Sequence, residues 1–134
     1  MERSLDTFAD ELANHPEGGF GGLFDRMGYL VLLPLLEFPY PEVAERLATA
    51  LTGSGVRETR ARAISLRELV GFALQRATPY WAGRAVVWLE QGFPFDRQLA
   101  EAVDHHVAEK HWSQPERHRA FRLVRRWERQ QGAS

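Results

Sequence analysis

Asp104, His105, His106, Glu109 and His111 form the densest group of ligating and titratable side chains in the sequence. Zinc motifs on helices set their ligands on one face, as the i, i+4 histidines of H-E-x-x-H do. At about 100° per residue, His105 and Glu109 share a face, while His106 points about 100° to one side and His111 about 120° to the other. Neither H-E-x-x-H nor H-x-x-E-H occurs. The spacing therefore describes an exposed His105–Glu109 pair, and neither metal nor cofactor is expected. The chain has no cysteine, which excludes thiol catalysis, disulfides and thiolate zinc sites. Gly53-Ser54-Gly55 lacks the G-x-S-x-G spacing of a nucleophile elbow, and the acids stand singly, so no general acid–base pair emerges.

Arginine and tryptophan carry more information. Arg119, Arg122, Arg126 and Arg129 recur at i, i+3, i+7 and i+10, opposite the apolar face of the last helical stretch, with Arg125 adjacent. Residues 114–130 hold six Arg against two Glu. The planar guanidinium fork suits carboxylates and phosphates alike. In residues 79–90, taking Ala82, Ala85, Val86 and Leu89 as inward sets Trp81 and Trp88 on one shoulder, with Arg84 beside them and Tyr80 near. Trp, Tyr and Arg are the residues enriched at interface hot spots.

Helices must position these groups. Leu5, Phe8, Ala9 and Leu12 make one face of an amino-terminal helix, and His15 to Gly22 reads as a glycine-rich connector. Residues 22–37 read as an apolar helix kinked by Pro34. Pro41 opens the next, with Ala44, Leu47, Ala48 and Leu51 inward, and residues 56–63 make a short connector. The centre is residues 65–92: Ser65 with Glu68 forms a capping box, Thr78-Pro79 restarts the chain, and Gly92 stops it. A helix over 96–111 follows, with Leu99, Ala100, Val103 and Val107 inward. Ser113 with Glu116 then caps a last helix that buries Ala120, Phe121, Val124 and Trp127. No segment alternates with period two. The fold class is all-α, with about seven helices in a single domain spanning 1–134.

Three of these helices align. Pro41 to Leu51 stands against Pro79 to Leu89 and Gln114 to Val124. Arg46, Arg84 and Arg119 then share a place, a core residue follows each, and a large aliphatic comes five later. Such self-similarity is the signature of stacked helical hairpins. The pattern, best in Leu32-Leu33-Pro34-Leu35-Leu36-Glu37-Phe38-Pro39-Tyr40-Pro41, resembles the HEAT family of repeats over about residues 22–130. The resemblance implies hairpins at 22–53, 56–92 and 93–130 behind an amino-terminal segment, 1–21, and a ladder of Arg46, Arg84 and Arg119. Arg117 departs from it, standing where Ala44 and Ala82 are read as buried.

The chain of 134 residues is 44% apolar and 26% charged, with net charge −1. Residues 1–67 hold 7 Arg against 10 acids and residues 68–134 hold 10 Lys or Arg against 8, so the halves carry −3 and +2. With no signal-like amino terminus and a longest strongly apolar run, Tyr29 to Leu36, far short of the roughly 20 residues that span a bilayer, a soluble, cytoplasmic location and no membrane are expected. Repeat stacks offer extended concave surfaces and no intrinsic catalytic site. The expectation is a non-enzymatic protein-binding module of bacterial type. A small inhibitor, such as a toxin-neutralising immunity protein, or an adaptor would fit by analogy. Its acidic partner would meet Arg46, Tyr80, Trp81, Arg84, Trp88, Arg119, Arg122 and Arg126. Nucleic-acid binding through the same arginines is the second reading, opposed by a pI near 6.5. An enzyme using His105, His106 and Glu109 is the third.

Overall fold

A computed structural model describes residues 4–16 and 18–132. Among them are eight α-helices, one 3-10 helix and no strand, so the chain is all-α. Its contacts gather into two compact units, Met1–Leu69 and Val70–Ser134.

The first unit begins with α1 (Leu5–Ala13), capped by Ser4, whose Oγ accepts from the Thr7 N–H at 3.1 Å. Leu5, Phe8, Ala9 and Leu12 are all buried, as their spacing predicts, and α1 packs on α2 and α3. The predicted glycine connector is shorter than expected, because α2 (Gly19–Met27) starts inside it. Glu17, within that connector, lies outside the described residues. At Gly19, φ is +67° and a Cβ would sit 2.8 Å from the Ala13 carbonyl oxygen, so the chain can pass α1 only without a side chain. A Cβ at Gly21 would meet the Arg60 guanidinium, which pairs with Asp25 at 3.3 Å. These glycines serve close packing, not flexibility.

The single helix predicted over 22–37 is two. Gly28, at φ +59° and ψ −144°, ends α2, and Gly28–Glu37 continues as a 3-10 helix. Three residues per turn align Leu32 with Leu35 and Leu33 with Leu36, and all four are buried. Gly19–Glu37 together is long and apolar enough to cross a bilayer by composition, with mean hydropathy 1.2. Here it is two short helices, with Phe20 and Leu23 of the first and Leu32, Leu33, Leu35 and Leu36 of the second buried.

In α3 (Tyr40–Gly53) the inward face is Val43, Leu47, Ala50 and Leu51, while Ala44 is exposed and Ala48 half-buried. The helix is turned about one residue from the predicted face, which buries the larger Val43 in place of Ala44. After α4 (Glu58–Arg62), the Ser65 box is half formed. Its Oγ accepts from the Glu68 N–H at 3.1 Å, but the Ser65 N–H donates to the Tyr29 hydroxyl at 2.9 Å instead of to Glu68.

The start of α5 (Leu66–Arg76) belongs to the first unit and the rest to the second. In α6 (Pro79–Glu90), the four predicted core residues are buried. Gly92, at φ +109°, lets the Phe93 N–H reach the Trp88 carbonyl at 3.0 Å, a Schellman stop. Asp96 caps α7 (Arg97–Ala108), accepting from the Leu99 N–H at 2.9 Å; Val107, expected inward, is half-buried.

Helix α7 ends on the same motif, the His111 N–H bonding the His106 carbonyl at 3.2 Å, but its left-handed residue is Lys110 at φ +56°. A Cβ there costs about 1–2 kcal/mol, against about 0.5–1 kcal/mol for the greater unfolded freedom of glycine. Lys110→Gly is therefore expected to raise stability by about 0.5–1 kcal/mol in urea titration. A loss would show that the lysine side chain contributes more than its backbone costs.

The last helix, α8 (Gln114–Gly132), carries a reciprocal capping box. The Glu116 N–H donates to Ser113 Oγ at 3.4 Å and the Ser113 N–H to Glu116 Oε1 at 3.2 Å. Ala120, Leu123 and Val124 are buried and α7 packs along them; Phe121, predicted inward, is 44% exposed. Its azimuth lies beyond the edge of that three-residue stripe, about 100° from Ala120. Trp127 is half-buried, stacked on Phe95 at 5.6 Å.

Candidate partner-binding face

Helix α8 turns its arginines outward. Arg119, Arg122, Arg125, Arg126 and Arg129 surround a shallow open depression that also exposes Phe121. The cations differ in how far the protein itself answers them. Arg119 is bound to Glu90 of α6 at 2.6 Å. Arg125 is bound to Glu128 at 2.7 Å and lies over the Phe121 ring at 4.7 Å. It also faces Asp104, whose carboxyl is pushed up by burial and drawn partly back by that guanidinium. Arg122, Arg126 and Arg129 make no ion pair among the described residues. Spaced i, i+4 and i+7, they form one stripe about 10 Å long.

The other predicted contact residues separate. Arg46, on α3 of the first unit, is exposed and 3.4 Å from Asp6 of α1. Tyr80 is 56% exposed, its ring set edge-on against the half-buried Trp81 at 5.0 Å. Arg84 is half-buried and does not line the depression around Arg119. Trp88 is a correction: it is wholly buried, its ring 6.1 Å from Phe93, and cannot meet a partner. The alignment of the three helices explains why. Four places after the shared arginine stand Ala50, Trp88 and Leu123, and all three are buried. That position is i+3 from the first core residue, so it falls on the inward face of each helix. Arg117, two places before Arg119, is half-buried, and its Nε is the one buried side-chain polar atom without a partner among the described residues.

The histidines are arranged differently from their predicted faces. His105 and Glu109 are exposed, but His106 is buried, 5% exposed, and stacked on Trp112 with ring centroids 4.9 Å apart. Trp112 Nε1 donates to the Pro79 carbonyl at 2.9 Å, tying this corner to the start of α6. Among the described residues no group of three His, Asp or Glu is placed to hold a metal ion. The Schellman turn accounts for the difference: left-handed Lys110 reverses the chain and returns His111 to His106, which helical extrapolation places on another face. Phe121, read as inward, is exposed instead, and the buried Leu123 was not among the predicted core residues of the last helix.

No family model, curated protein or solved structure matches the chain.

Proposed function

We propose that the chain is a non-enzymatic protein-binding module, a small inhibitor or adaptor, whose partner presents carboxylates to α8. The observation that carries this reading is the stripe of Arg122, Arg126 and Arg129, exposed, without internal anions, and bordered by the exposed ring of Phe121. An exposed aromatic beside bidentate cations suits a protein surface that offers both carboxylates and an apolar contact. Arg119 stands at the inner edge of the stripe and Tyr80 on the neighbouring helix of the same unit. Arg46 belongs to the first unit.

The same reading takes the architecture as HEAT-like hairpins. Its support is the shared burial register: positions one, four and five after Arg46, Arg84 and Arg119 are all buried, as Leu47, Ala50, Leu51; Ala85, Trp88, Leu89; and Ala120, Leu123, Val124.

The test is capture of partners from the source cell, followed by reconstitution of the purified pair in parallel with duplex DNA at 50 and 200 mM salt. A single acidic protein held at unit ratio at both salts supports the reading. Retention of nucleic acid alone, with affinity falling steeply as salt rises, overturns it.

A further inference from the structure

His106 is the one buried titratable side chain among the described residues, and both of its ring nitrogens are engaged. Nε2 lies 2.6 Å from the Leu74 carbonyl of α5, and Nδ1 lies 2.7 Å from Nδ1 of His111. A carbonyl only accepts, so His106 carries its hydrogen on Nε2. Nδ1 of neutral His106 then offers a lone pair, and His111 must donate from its own Nδ1. The hydrogen bond thereby fixes both tautomers.

The bond accommodates one added proton and not two. A proton on Nε2 of His111 leaves the Nδ1–H donor, and with it the bond, in place. A second proton can go only to Nδ1 of His106. Two N–H groups would then face each other at 2.7 Å between like charges, and one ring must leave. The geometry points to a two-proton latch: the His106–His111 bond closes the corner between α7 and α8 until the pair binds its second proton, then opens.

The surroundings favour movement of His111. Its ring is exposed, and it follows Lys110, whose left-handed backbone is held by the turn that the pair closes. His106 itself is pinned between Leu74 and Trp112. The titratable groups that face the pair are His105 and Glu101 from α7. From α5 come the Leu74 carbonyl and neutral Gln75, and α6 contributes only the Pro79 carbonyl, held through Trp112. Arg76, Glu109 and Lys110 are exposed to solvent.

Burial holds His106 below its ordinary 6.5, with the charges of His111 and His105 acting the same way and the Leu74 carbonyl opposing. The unfolded chain therefore takes its proton first as the pH drops. The stability contributed by the closed pair is full above about 6.5 and is lost as pH falls through the lowered folded value.

The test uses the full chain with no partner added, so it stands apart from the binding proposal. Side-chain nitrogen NMR between pH 7.5 and 4.5 is expected to show the Nε2–H tautomer at His106, Nδ1–H at His111, and two titration steps shared by both rings. Across the lower step, exchange protection of the Trp112 indole N–H, corrected for intrinsic rate, is expected to fall at least about tenfold, the factor one proton imposes per pH unit. In His111→Gln the side-chain oxygen can accept from protonated His106, so the acid loss of protection is expected to vanish while His106 still titrates. Independent single titrations in the wild type, or the same acid loss in His111→Gln, would overturn the latch.

Discussion

Trp88→Ala is expected to destabilise the chain by about 3–5 kcal/mol, among the largest effects any single truncation can have here. The ring is wholly inside, Phe93 is folded onto it by the turn at Gly92, and the position is buried in all three aligned helices. Removing it leaves a cavity bounded by a helix and a Schellman turn, neither of which can collapse without breaking backbone hydrogen bonds. Against a total of about 5–15 kcal/mol, the melting temperature should drop on the order of 10–20 °C. Tyr80→Ala, on the same helix but exposed, is expected to cost no more than about 1 kcal/mol. Equal losses for the two would mean that Trp88 does not hold the core.

The second large effect is on binding. Arg122→Glu, Arg126→Glu and Arg129→Glu together are expected to weaken the partner at least about a hundredfold, roughly 1 kcal/mol or more for each contact turned repulsive. Stability should change little, since all three side chains are exposed and like charges at i, i+4 already repel by a few tenths of a kcal/mol. Binding kinetics divide the effect: arginines that only steer would slow association and leave dissociation unchanged, whereas arginines seated on carboxylates would speed dissociation as well. Unaltered affinity with an intact fold would remove α8 as the interface.

Much of this was legible in the chain, and the exceptions have physical causes. The face of α1, the inward Ala82, Ala85, Val86 and Leu89 of α6, and the Ser113 cap followed from spacing, because local periodicity and cap chemistry fix them, whereas Trp88 was placed on the wrong side of α6. The division at Gly28 did not, since Pro34 was the more obvious breaker and a ten-residue 3-10 helix is uncommon. Ser65 kept only half its box because a hydroxyl 36 residues away, on Tyr29, competes for its N–H. The candidate face was visible as an arginine period. Which arginines are internally answered depended on Glu90 and Glu128, and only the structure pairs them. The histidine pair was hidden by the left-handed lysine, a conformation rare enough for a non-glycine residue that periodicity ignores it.

The position four places after the shared arginine also bears on how such a chain can change. It holds a methyl group, an indole and an isobutyl group in turn, at Ala50, Trp88 and Leu123, yet none is exposed beyond 7%. Burial is common to the three helices while volume is not, so each must lie at its own distance from what covers it, within the 8–10 Å that packed helices allow. The three helices are consequently not interchangeable parts. Transplanting α6 into the place of α3 would drive an indole into room made for a methyl. Had these segments arisen by duplication, their neighbours would since have been refitted around each one, erasing likeness in size while preserving likeness in position.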